Sequence, residues 1–394
     1  MGQIIKDTSV FTYQYIPFAI PHREKEIRDL SLRLNKPLEG MRVINTIIYG
    51  LSGTGKTLIS KYLADDLQKK CPEVKICYVR LKRLQTEYKA INKVAQDLLN
   101  EEYIGHSPDH IYNRIFKSIK QFKEKYIVFI FDEIDSILEN YDNFLDAFLR
   151  PNENYNIGDK EVSAILISNN MTFPKELTIG TKSSFSCIDK LVFSPYNANQ
   201  LRDVLIERAE KGLNRGTYSE LTIPMCAALG AQEHGDARRT IELLGKSAFL
   251  AENDCAQTIE ESYIKQAQEL IEFEGLAHVL NTLPVQSKAT ALAIVRNGKG
   301  KKESTTTTIH SQYKDICYQV DLPVLSQRRI HDILVEFENV GLINTHLVYR
   351  GGGGRSRYVD LIVPASIVEK VITDEYRFQR FKPMQQELDV MGAK

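Results

Sequence analysis

Eight consecutive residues, numbers 50–57, combine glycines with a lysine and a threonine at fixed spacing: Gly-Leu-Ser-Gly-Thr-Gly-Lys-Thr. The glycines allow the backbone to curl so that successive N–H groups face the oxygens of a phosphate. A lysine at this position reaches the β- and γ-phosphates, and the hydroxyl that follows it binds Mg²⁺. The pattern predicts nucleotide-binding residues Gly53, Thr54, Gly55, Lys56 and Thr57, with Thr57 also a metal ligand.

The residues on either side supply the context that this loop requires. Residues 43–49 (VINTIIY) form a β-rich apolar run, which predicts a buried strand. Residues 58–69 place apolar side chains at helical spacing. Strand, glycine loop and helix in that order are typical of phosphate binding, and the helix N-terminus adds the positive end of its dipole. A chance glycine-rich turn is the alternative, and this context argues against it.

A second acidic motif, Phe129-Ile-Phe-Asp-Glu-Ile-Asp135, ends another apolar run. An aspartate at the carboxyl end of a strand beside a phosphate loop can hold the Mg²⁺ shell, which predicts a metal-binding role for Asp132. Glu133 can polarise a water molecule for attack on the γ-phosphate. We interpret Asp135 as a helix N-cap.

Two further polar positions are candidates for contact with the γ-phosphate. Asn169 follows a third apolar run, although a turn-forming asparagine is an ordinary alternative there. Arg238 lies in Gly-Asp-Ala-Arg-Arg (residues 235–239), which starts a predicted helix. An arginine at that point could reach back across a cleft to the phosphates, although exposed arginines at helix starts are common.

The elements that must position these residues alternate between strands and helices. The strand-like runs are residues 43–49, 74–79, 126–131, 162–168 and 190–193, and helical patterns lie between them. Runs that are apolar throughout indicate strands buried on both faces, so we expect an α/β fold with an open parallel sheet. Beyond Pro195 the patterns are helical up to residue 273. This change predicts a small helical lid domain.

The last third of the chain predicts three helices and a hairpin with a basic surface. Ser326 caps a helix whose apolar stripe is core, so Gln327, Arg328 and Arg329 are left at an exposed N-terminal end. The hairpin carries Arg350, four glycines, Arg355 and Arg357. This order is typical of a winged helix that places a helix and a slim basic wing on DNA. Many winged helices bind proteins instead, so that alternative stays open.

Composition sets the remaining limits. Net charge is zero over 394 residues, but residues 286–357 hold 11 Lys/Arg against 6 Asp/Glu. This local excess of +5 favours a polyanionic partner, although an ordinary solvated surface would also account for it. The six cysteines form no CxxC pair, which indicates reduced thiols in the cytoplasm and no zinc site. The sequence contains neither a signal-peptide pattern nor an apolar run long enough to span a membrane.

These motifs together resemble the archaeal origin-recognition initiators, the Orc/Cdc family of AAA+ P-loop ATPases. The resemblance covers residues 15–363 and rests on GLSGTGKT, IFDEID, ISNN, SPYNANQL, GDARR and the Pro-His-Arg-Glu at residues 21–24. It implies a AAA+ base with a parallel sheet, a helical lid and a C-terminal winged helix that binds duplex DNA at replication origins. It also implies ATP or ADP with Mg²⁺ as cofactors, association with the nucleoid, and paralogous initiators or a replicative helicase as possible partners.

The resemblance assigns roles to individual residues. Asn169 matches the first sensor and Arg238 the second, and with Glu133 they form the predicted catalytic set. Tyr196 and Arg208 match positions that line the nucleotide, and Pro21 and Arg23 lie in a segment like the loop beside the adenine. An insert between the second and third strands that touches DNA would fall within residues 84–119. The domain boundaries expected from these matches are 1–195, 196–275, 276–375 and a loosely ordered tail at 376–394.

One position departs from the family pattern. The family usually has an arginine ahead of the last strand that contacts the ATP of a neighbouring subunit, and this chain has Gly180 there, with Lys182 the only basic residue nearby. We therefore expect weak, slow ATP hydrolysis, with bound nucleotide acting as a conformational switch.

Two other functions remain open from sequence. A AAA+ loader or regulator could use its winged helix mainly on protein partners, and would then bind DNA weakly. A signalling ATPase of the disease-resistance type has the same domain order, but that function does not account for a basic glycine wing.

Overall fold

The computed structural model describes residues 4–12, 15–17, 20–137, 141–177, 182, 185–186, 188–299, 304–350 and 354–382. The chain folds as two compact units, Met1–Ala267 and Gln268–Lys394. Within the described ranges, no helix combines the length and the apolar character that a membrane span requires. Gly180 and its neighbours at 178–181 lie outside the described residues, so the expectation at that position stays a prediction from sequence.

The first unit begins with an α/β layer. Its elements are α1 (Glu24–Leu34), β1 (Thr46–Gly50), α2 (Lys56–Lys70), β2 (Val74–Arg80), α3 (Glu87–Leu99), α4 (Pro108–Ile119), β3 (Tyr126–Asp132), α5 (Tyr141–Leu149), α6 (Pro151–Asn154), β4 (Glu161–Ser168), α7 (Phe173–Glu176) and β5 (Asp189–Phe193). The five strands form one parallel sheet in the order β2-β3-β4-β1-β5. All residues of β1 and β3 are buried, which confirms the predicted α/β fold with strands covered on both faces.

The first strand is shorter than its apolar run predicts. It begins at Thr46, and the residues just before it form hydrogen bonds with β4 through side chains and with the backbone of α1. The side-chain oxygen of Asn45 accepts from the Ala164 N–H at 2.9 Å, and the Ser163 hydroxyl donates to the Val43 carbonyl at 2.9 Å. These bonds satisfy buried polar groups at the base of the sheet without extending β1.

A helical layer follows the sheet within the same unit, as expected for a lid. It contains α8 (Ala198–Gly212), α9 (Thr222–Gln232) and α10 (Ala237–Asn253). Asn197 forms a capping box with Gln200, which fixes where α8 begins. Asp236 caps α10 by accepting from the N–H groups of Arg238 and Arg239 at 2.8 and 3.1 Å. The predicted start of this helix is therefore confirmed.

The second unit is a winged helix preceded by α11 (Glu261–Thr282), a helix that includes the boundary between the units. Its elements are α12 (Val285–Lys299), α13 (Thr306–Gln319), α14 (Gln327–Asn339), β6 (Ile343–Arg350), β7 (Gly354–Leu361) and α15 (Ala365–Thr373). Strands β6 and β7 pair antiparallel, with Ile343 opposite Leu361 and Arg350 opposite Gly354. The predicted stripe of α14 is buried in the core of this unit, as its spacing requires.

Two features of the carboxyl-terminal region differ from the sequence expectation. No element was predicted for α15, although its apolar positions Val368, Val371 and Ile372 follow a helical period. The tail was expected to be loosely ordered from residue 376. Instead Tyr376–Phe381 forms a 3₁₀ helix, because Phe378 and Phe381 lie three residues apart and bury their rings in the core. Residues 383–394 lie outside the described residues.

Two glycines in helices, one in the lid and one in the second unit, differ in how tightly their surroundings are packed. At Gly230 in α9, an added Cβ would lie 2.0 Å from Oγ1 of Thr240 on α10, whereas at Gly275 in α11 it would meet nothing within 4 Å. We expect Gly230→Ala to destabilise the first unit by about 1–3 kcal/mol through overpacking. Gly275→Ala should stabilise its exposed helix by about 1 kcal/mol. Denaturant unfolding of both variants measures the difference, and an equal response would contradict this account of the packing.

Candidate functional site

A cavity of about 530 Å³ lies in the first unit at the carboxyl edge of the sheet. The phosphate loop and the ends of β3 and β4 form one side of it. The amino-terminal segment and the lid helices α8 and α10 form the other. The two predicted metal ligands and the two predicted sensors all line this cavity. The fold therefore brings residues that are far apart in sequence around one space. The lining residues with predicted roles are Pro21, Gly53, Thr54, Gly55, Lys56, Thr57, Asp132, Glu133, Asn169, Tyr196, Arg208 and Arg238.

The phosphate loop has the backbone that its glycines predict. Gly53 and Gly55 have φ angles of 71° and 94°, in the left-handed region that side chains disfavour. Gly55 directly precedes α2, so the N-terminus of that helix faces the cavity. Gly53 also lies against the lid, because an added Cβ would be 1.8 Å from a carboxylate oxygen of Asp236. The start of α10 therefore packs directly on the loop.

Lys56 is held inside the loop by neutral acceptors. Its side chain is 5% exposed, and Nζ donates to the carbonyls of Gly50 and Leu51 at 2.9 and 2.8 Å and to Oδ1 of Asn169 at 2.8 Å. Burial lowers the pKa of Lys56 to about 8, against the opposing effect of Asp132 and other carboxylates nearby. An ammonium ion whose direct partners are all neutral is suited to an incoming phosphate, so this residue fits the expected nucleotide.

The predicted metal residues meet as expected. The Thr57 hydroxyl donates to Oδ2 of Asp132 at 2.9 Å, and the Tyr78 hydroxyl donates to the same oxygen at 2.6 Å. Burial raises the pKa of Tyr78, so its hydroxyl keeps the proton that it donates. Carboxylate and hydroxyl oxygens beside a phosphate site are the hard ligands that Mg²⁺ prefers, so the donor set fits this ion.

Tyr78 should matter for metal affinity although it is not itself a predicted ligand. Groups that orient a metal-binding carboxylate typically change metal affinity 10- to 100-fold when they are lost. We expect Tyr78→Phe to raise the Mg²⁺ concentration needed for half-maximal binding of a fluorescent ATP analogue about tenfold. Tyr62→Phe, at an exposed position of α2, is the matched control. An unchanged Mg²⁺ midpoint in Tyr78→Phe would show that its hydrogen bond does not support the site.

Glu133, the predicted base, is held by an arginine. Its backbone lies in the left-handed region (φ 60°, ψ 47°), an unfavourable conformation for a residue with a side chain. Oε1 accepts from Nη2 of Arg80 at 2.9 Å. Arg80 ends β2 and pairs in register with Asp132, so the sheet brings it to the base. In this structure the Glu133 carboxylate is therefore engaged in an ion pair.

Asn169 reaches the phosphate loop, but Asp135 does not act as predicted. We expected Asp135 to cap a helix. It lies within a 3₁₀ helix, Ile134–Ser136, and Oδ1 of its carboxylate accepts from the Asn169 N–H at 3.2 Å. Asp135 reaches Asn169 because β3 and β4 are neighbouring parallel strands, so the residues that follow them lie side by side. Asp135 and Lys56 thus hold Asn169 from two directions.

Tyr196 and Arg208, predicted to line a nucleotide, both line the cavity and are 5% exposed. Nε of Arg208 is buried and has no hydrogen-bond partner among the described residues, so it is an unsatisfied donor in a residue that lines the cavity. Pro21 lines the cavity. Arg23 does not, since its guanidinium donates to the carbonyls of Thr54 and Ser194 and lies over the ring of Tyr196. The structure therefore gives Arg23 a bracing position behind the loop.

The lid contributes Arg238, which is exposed in the first turn of α10 and lines the cavity. Its neighbour Arg239 faces elsewhere and pairs with Glu233 at 2.5 Å. Of the two adjacent arginines, only Arg238 is thus positioned to contact a nucleotide.

The second unit presents the predicted basic surface in part. Gln327, Arg328 and Arg329 are exposed at the start of α14, and Ser326 caps the helix by accepting from the Arg329 N–H at 3.4 Å. Arg357 on β7 reaches this helix, with Nη1 3.3 Å from Nε2 of His331. The backbones of Arg350 and Arg355 lie in the paired strands, but their side chains and the tip at residues 351–353 lie outside the described residues.

Comparisons with known proteins extend over all these parts. The chain matches the family models for the AAA ATPases associated with various cellular activities (residues 46–187), the Cdc6 AAA+ ATPase-type lid domain (202–269) and the CDC6 C-terminal winged helix domain (278–371). It is 33% identical over 384 residues to ORC1-type DNA replication protein 1 of Methanosarcina mazei, covering 95% of this chain and 92% of that protein. The chain belongs to the archaeal ORC1-type DNA replication proteins.

Other ORC1-type relatives agree with this result. The Thermococcus onnurineus protein is 33% identical, with 96% of this chain and 92% of that one covered. The Aeropyrum pernix ORC1 protein, solved in complex with DNA, superposes with a TM-score of 0.85 at 29% identity over 96% of this chain and 99% of that one. The Cdc6 protein of Pyrobaculum aerophilum shares the fold at a TM-score of 0.60 and 23% identity.

Sequence reasoning missed three contributors to the site of this ORC1-type chain. Tyr78 and Arg80 lie on β2 and act across the sheet on β3, so only the strand register reveals them. The third is the amino-terminal segment, where Phe11 and Thr12 line the cavity. For Tyr78 and Arg80, the available sequence signal was a tyrosine and an arginine two residues apart at the end of a predicted strand.

Proposed function

We propose that this protein binds duplex DNA at replication origins as an initiator, with ATP or ADP acting as a slow conformational switch. One observation carries the proposal: a cavity lined by the predicted phosphate loop, metal residues and sensors occurs together with a basic, exposed helix start in a chain of the ORC1-type replication family. The DNA complex of the Aeropyrum pernix ORC1 protein, similar over 96% of this chain, supports it. This function places the protein in the cytoplasm, on the nucleoid.

The proposed nucleotide chemistry assigns each residue a distinct task. Lys56 holds the phosphates, Thr57 and Asp132 hold Mg²⁺, and Arg238 reads the γ-phosphate from the lid. Glu133 orients the attacking water, with Asn169 beside the γ-phosphate. Mg²⁺, when bound, neutralises charge on the phosphate oxygens. Tyr196 and Arg208 enclose the nucleoside.

Slow turnover is supported by the ion pair between Arg80 and Glu133, because the Oε1 oxygen that accepts from Arg80 at 2.9 Å is not free to orient an attacking water. Gly180 in place of a finger arginine points the same way. We expect Arg80→Ala to raise the single-turnover rate of ATP hydrolysis several-fold while ADP affinity stays the same. Glu133→Gln in the same background should abolish the gain. A rate in Arg80→Ala at or below that of the native protein would contradict an inhibitory ion pair.

The proposal is tested by footprinting on an origin fragment at physiological salt, with ATP and with ADP present. Low salt would favour nonspecific phosphate contacts and obscure specificity. An initiator switch is supported if the protein protects a defined sequence and if the length of the protected region differs between ATP and ADP. Weak protection with no sequence preference favours the alternative, a loader whose winged helix contacts a helicase or a paralogous initiator. The same footprints would test whether residues 84–119 contribute a second DNA contact.

A further inference from the structure

The amino-terminal strap, defined here as residues 4–12, is packed on the lid. The N–H groups of Lys6 and Asp7 donate to the Gly212 carbonyl at 2.8 and 3.2 Å, at the end of α8. The N–H groups of Ile4 and Ile5 donate to Oε1 of Glu252 on α10, at 3.0 and 3.3 Å. Both isoleucines are buried. The strap therefore joins two lid helices.

A single aromatic ring of the strap occupies a slot made by two lid glycines. An added Cβ at Gly212 would lie 2.6 Å from the ring edge of Phe11, and one at Gly245 on α10 would lie 2.8 Å from Cβ of Phe11. No real Cβ atom tolerates such distances, so the slot exists only because both positions lack side chains. Phe11 also lines the nucleotide cavity, so the ring contacts the lid and the nucleotide space together.

A buried arginine connects the strap to the same wall of the cavity. Nη1 of Arg208 donates to the Val10 carbonyl at 2.8 Å, and its guanidinium lies 4.4 Å from the ring centroid of Tyr15. Because Arg208 lines the cavity, any shift of its side chain disturbs the strap immediately before Phe11. The same side chain therefore contacts both the cavity and the strap.

We infer that Phe11 is a nucleotide-retention residue: seated in the Gly212–Gly245 slot, it closes the nucleoside end of the cavity, and bound ADP leaves only after the strap leaves the slot. The inference rests on the proposed binding of nucleotide in this cavity. Coupling between nucleotide binding and strap seating acts in both directions. Nucleotide that holds the lid against the phosphate loop also preserves the slot, and a seated strap lengthens the lifetime of the bound nucleotide.

The test measures the dissociation rate of a fluorescent ADP analogue from the full chain after addition of excess ADP. Phe11→Ala removes the ring, and Gly245→Ala fills the slot from the opposite side. Both should accelerate release about tenfold, which corresponds to losing about 1.4 kcal/mol of retention. Phe249→Ala, a half-exposed ring on the same helix, is the matched control and should release at the native rate.

A native dissociation rate in either folded variant overturns the inference. If a variant does not fold, amide hydrogen exchange on the native protein decides. The N–H groups of Lys6 and Asp7 should gain at least about tenfold protection with ADP, because the strap opens less often, and equal protection with and without ADP overturns the inference. Failure of the proposed nucleotide binding gives a different result from failure of this inference, because the native protein would then bind no ADP analogue at all.

Discussion

Lys56→Ala should weaken nucleotide binding about 30-fold or more, because it deletes the only ammonium ion among the residues that line the described cavity. Removing one partner of a buried, charged hydrogen-bonded pair typically costs 2–5 kcal/mol of binding, and each 1.4 kcal/mol is about tenfold in affinity. The three neutral acceptors that now surround Nζ cannot replace its charge. Titration with a fluorescent ADP analogue in the presence of Mg²⁺ measures the loss.

The matched control is Lys69→Ala, an exposed lysine in the last turn of the same helix. It changes net charge equally but leaves the loop intact, so ADP affinity should stay within about twofold of the native value. A melting curve for each variant separates loss of the site from loss of the fold. Native ADP affinity in a folded Lys56→Ala protein would show that the cavity does not bind nucleotide through its phosphates.

Much of this site was predictable because its central residues lie in short local motifs. The phosphate loop needs a strand, a glycine turn and a helix in order, and each has a signal within a few residues. Asp132 and Glu133 follow from the end of a buried run. The start of the helix at Gly235–Arg239 was equally predictable, since a cap and its helix are adjacent in sequence.

The rest depends on contacts between distant segments. Tyr78 reaches Asp132 only because β2 and β3 are neighbours in a specific register, and an apolar strand pattern does not state which strands pair. Asp135 was misassigned for the same reason, since its partner Asn169 directly follows β4. Arg23 was expected beside the adenine, but the loop carbonyl of Thr54 engages it instead. Burial of Phe378 shows that two well-spaced aromatics order a short polar tail.

The proposed DNA contact makes the second large prediction. Arg328 is exposed at the start of α14, next to the cap Ser326, where a recognition helix meets base edges or phosphates. Arg329 has a carboxylate 3.6 Å away on Asp332 and Arg357 is engaged with His331. Among the described residues, Arg328 has neither an ion pair with a carboxylate nor a hydrogen bond with a histidine, so its whole charge is available to a polyanion.

We therefore expect Arg328→Ala to weaken binding of an origin duplex about tenfold at physiological salt, while affinity for ADP stays native. Lys314→Ala, an exposed lysine on α13, is the matched control and should weaken binding much less. Fluorescence anisotropy over a salt series separates two forms of contact. A phosphate contact lowers the salt slope by about one and weakens all sequences alike, whereas a base contact relaxes the preference for one position. Native affinity and slope in Arg328→Ala would indicate that α14 does not meet DNA, which favours a protein partner for the winged helix.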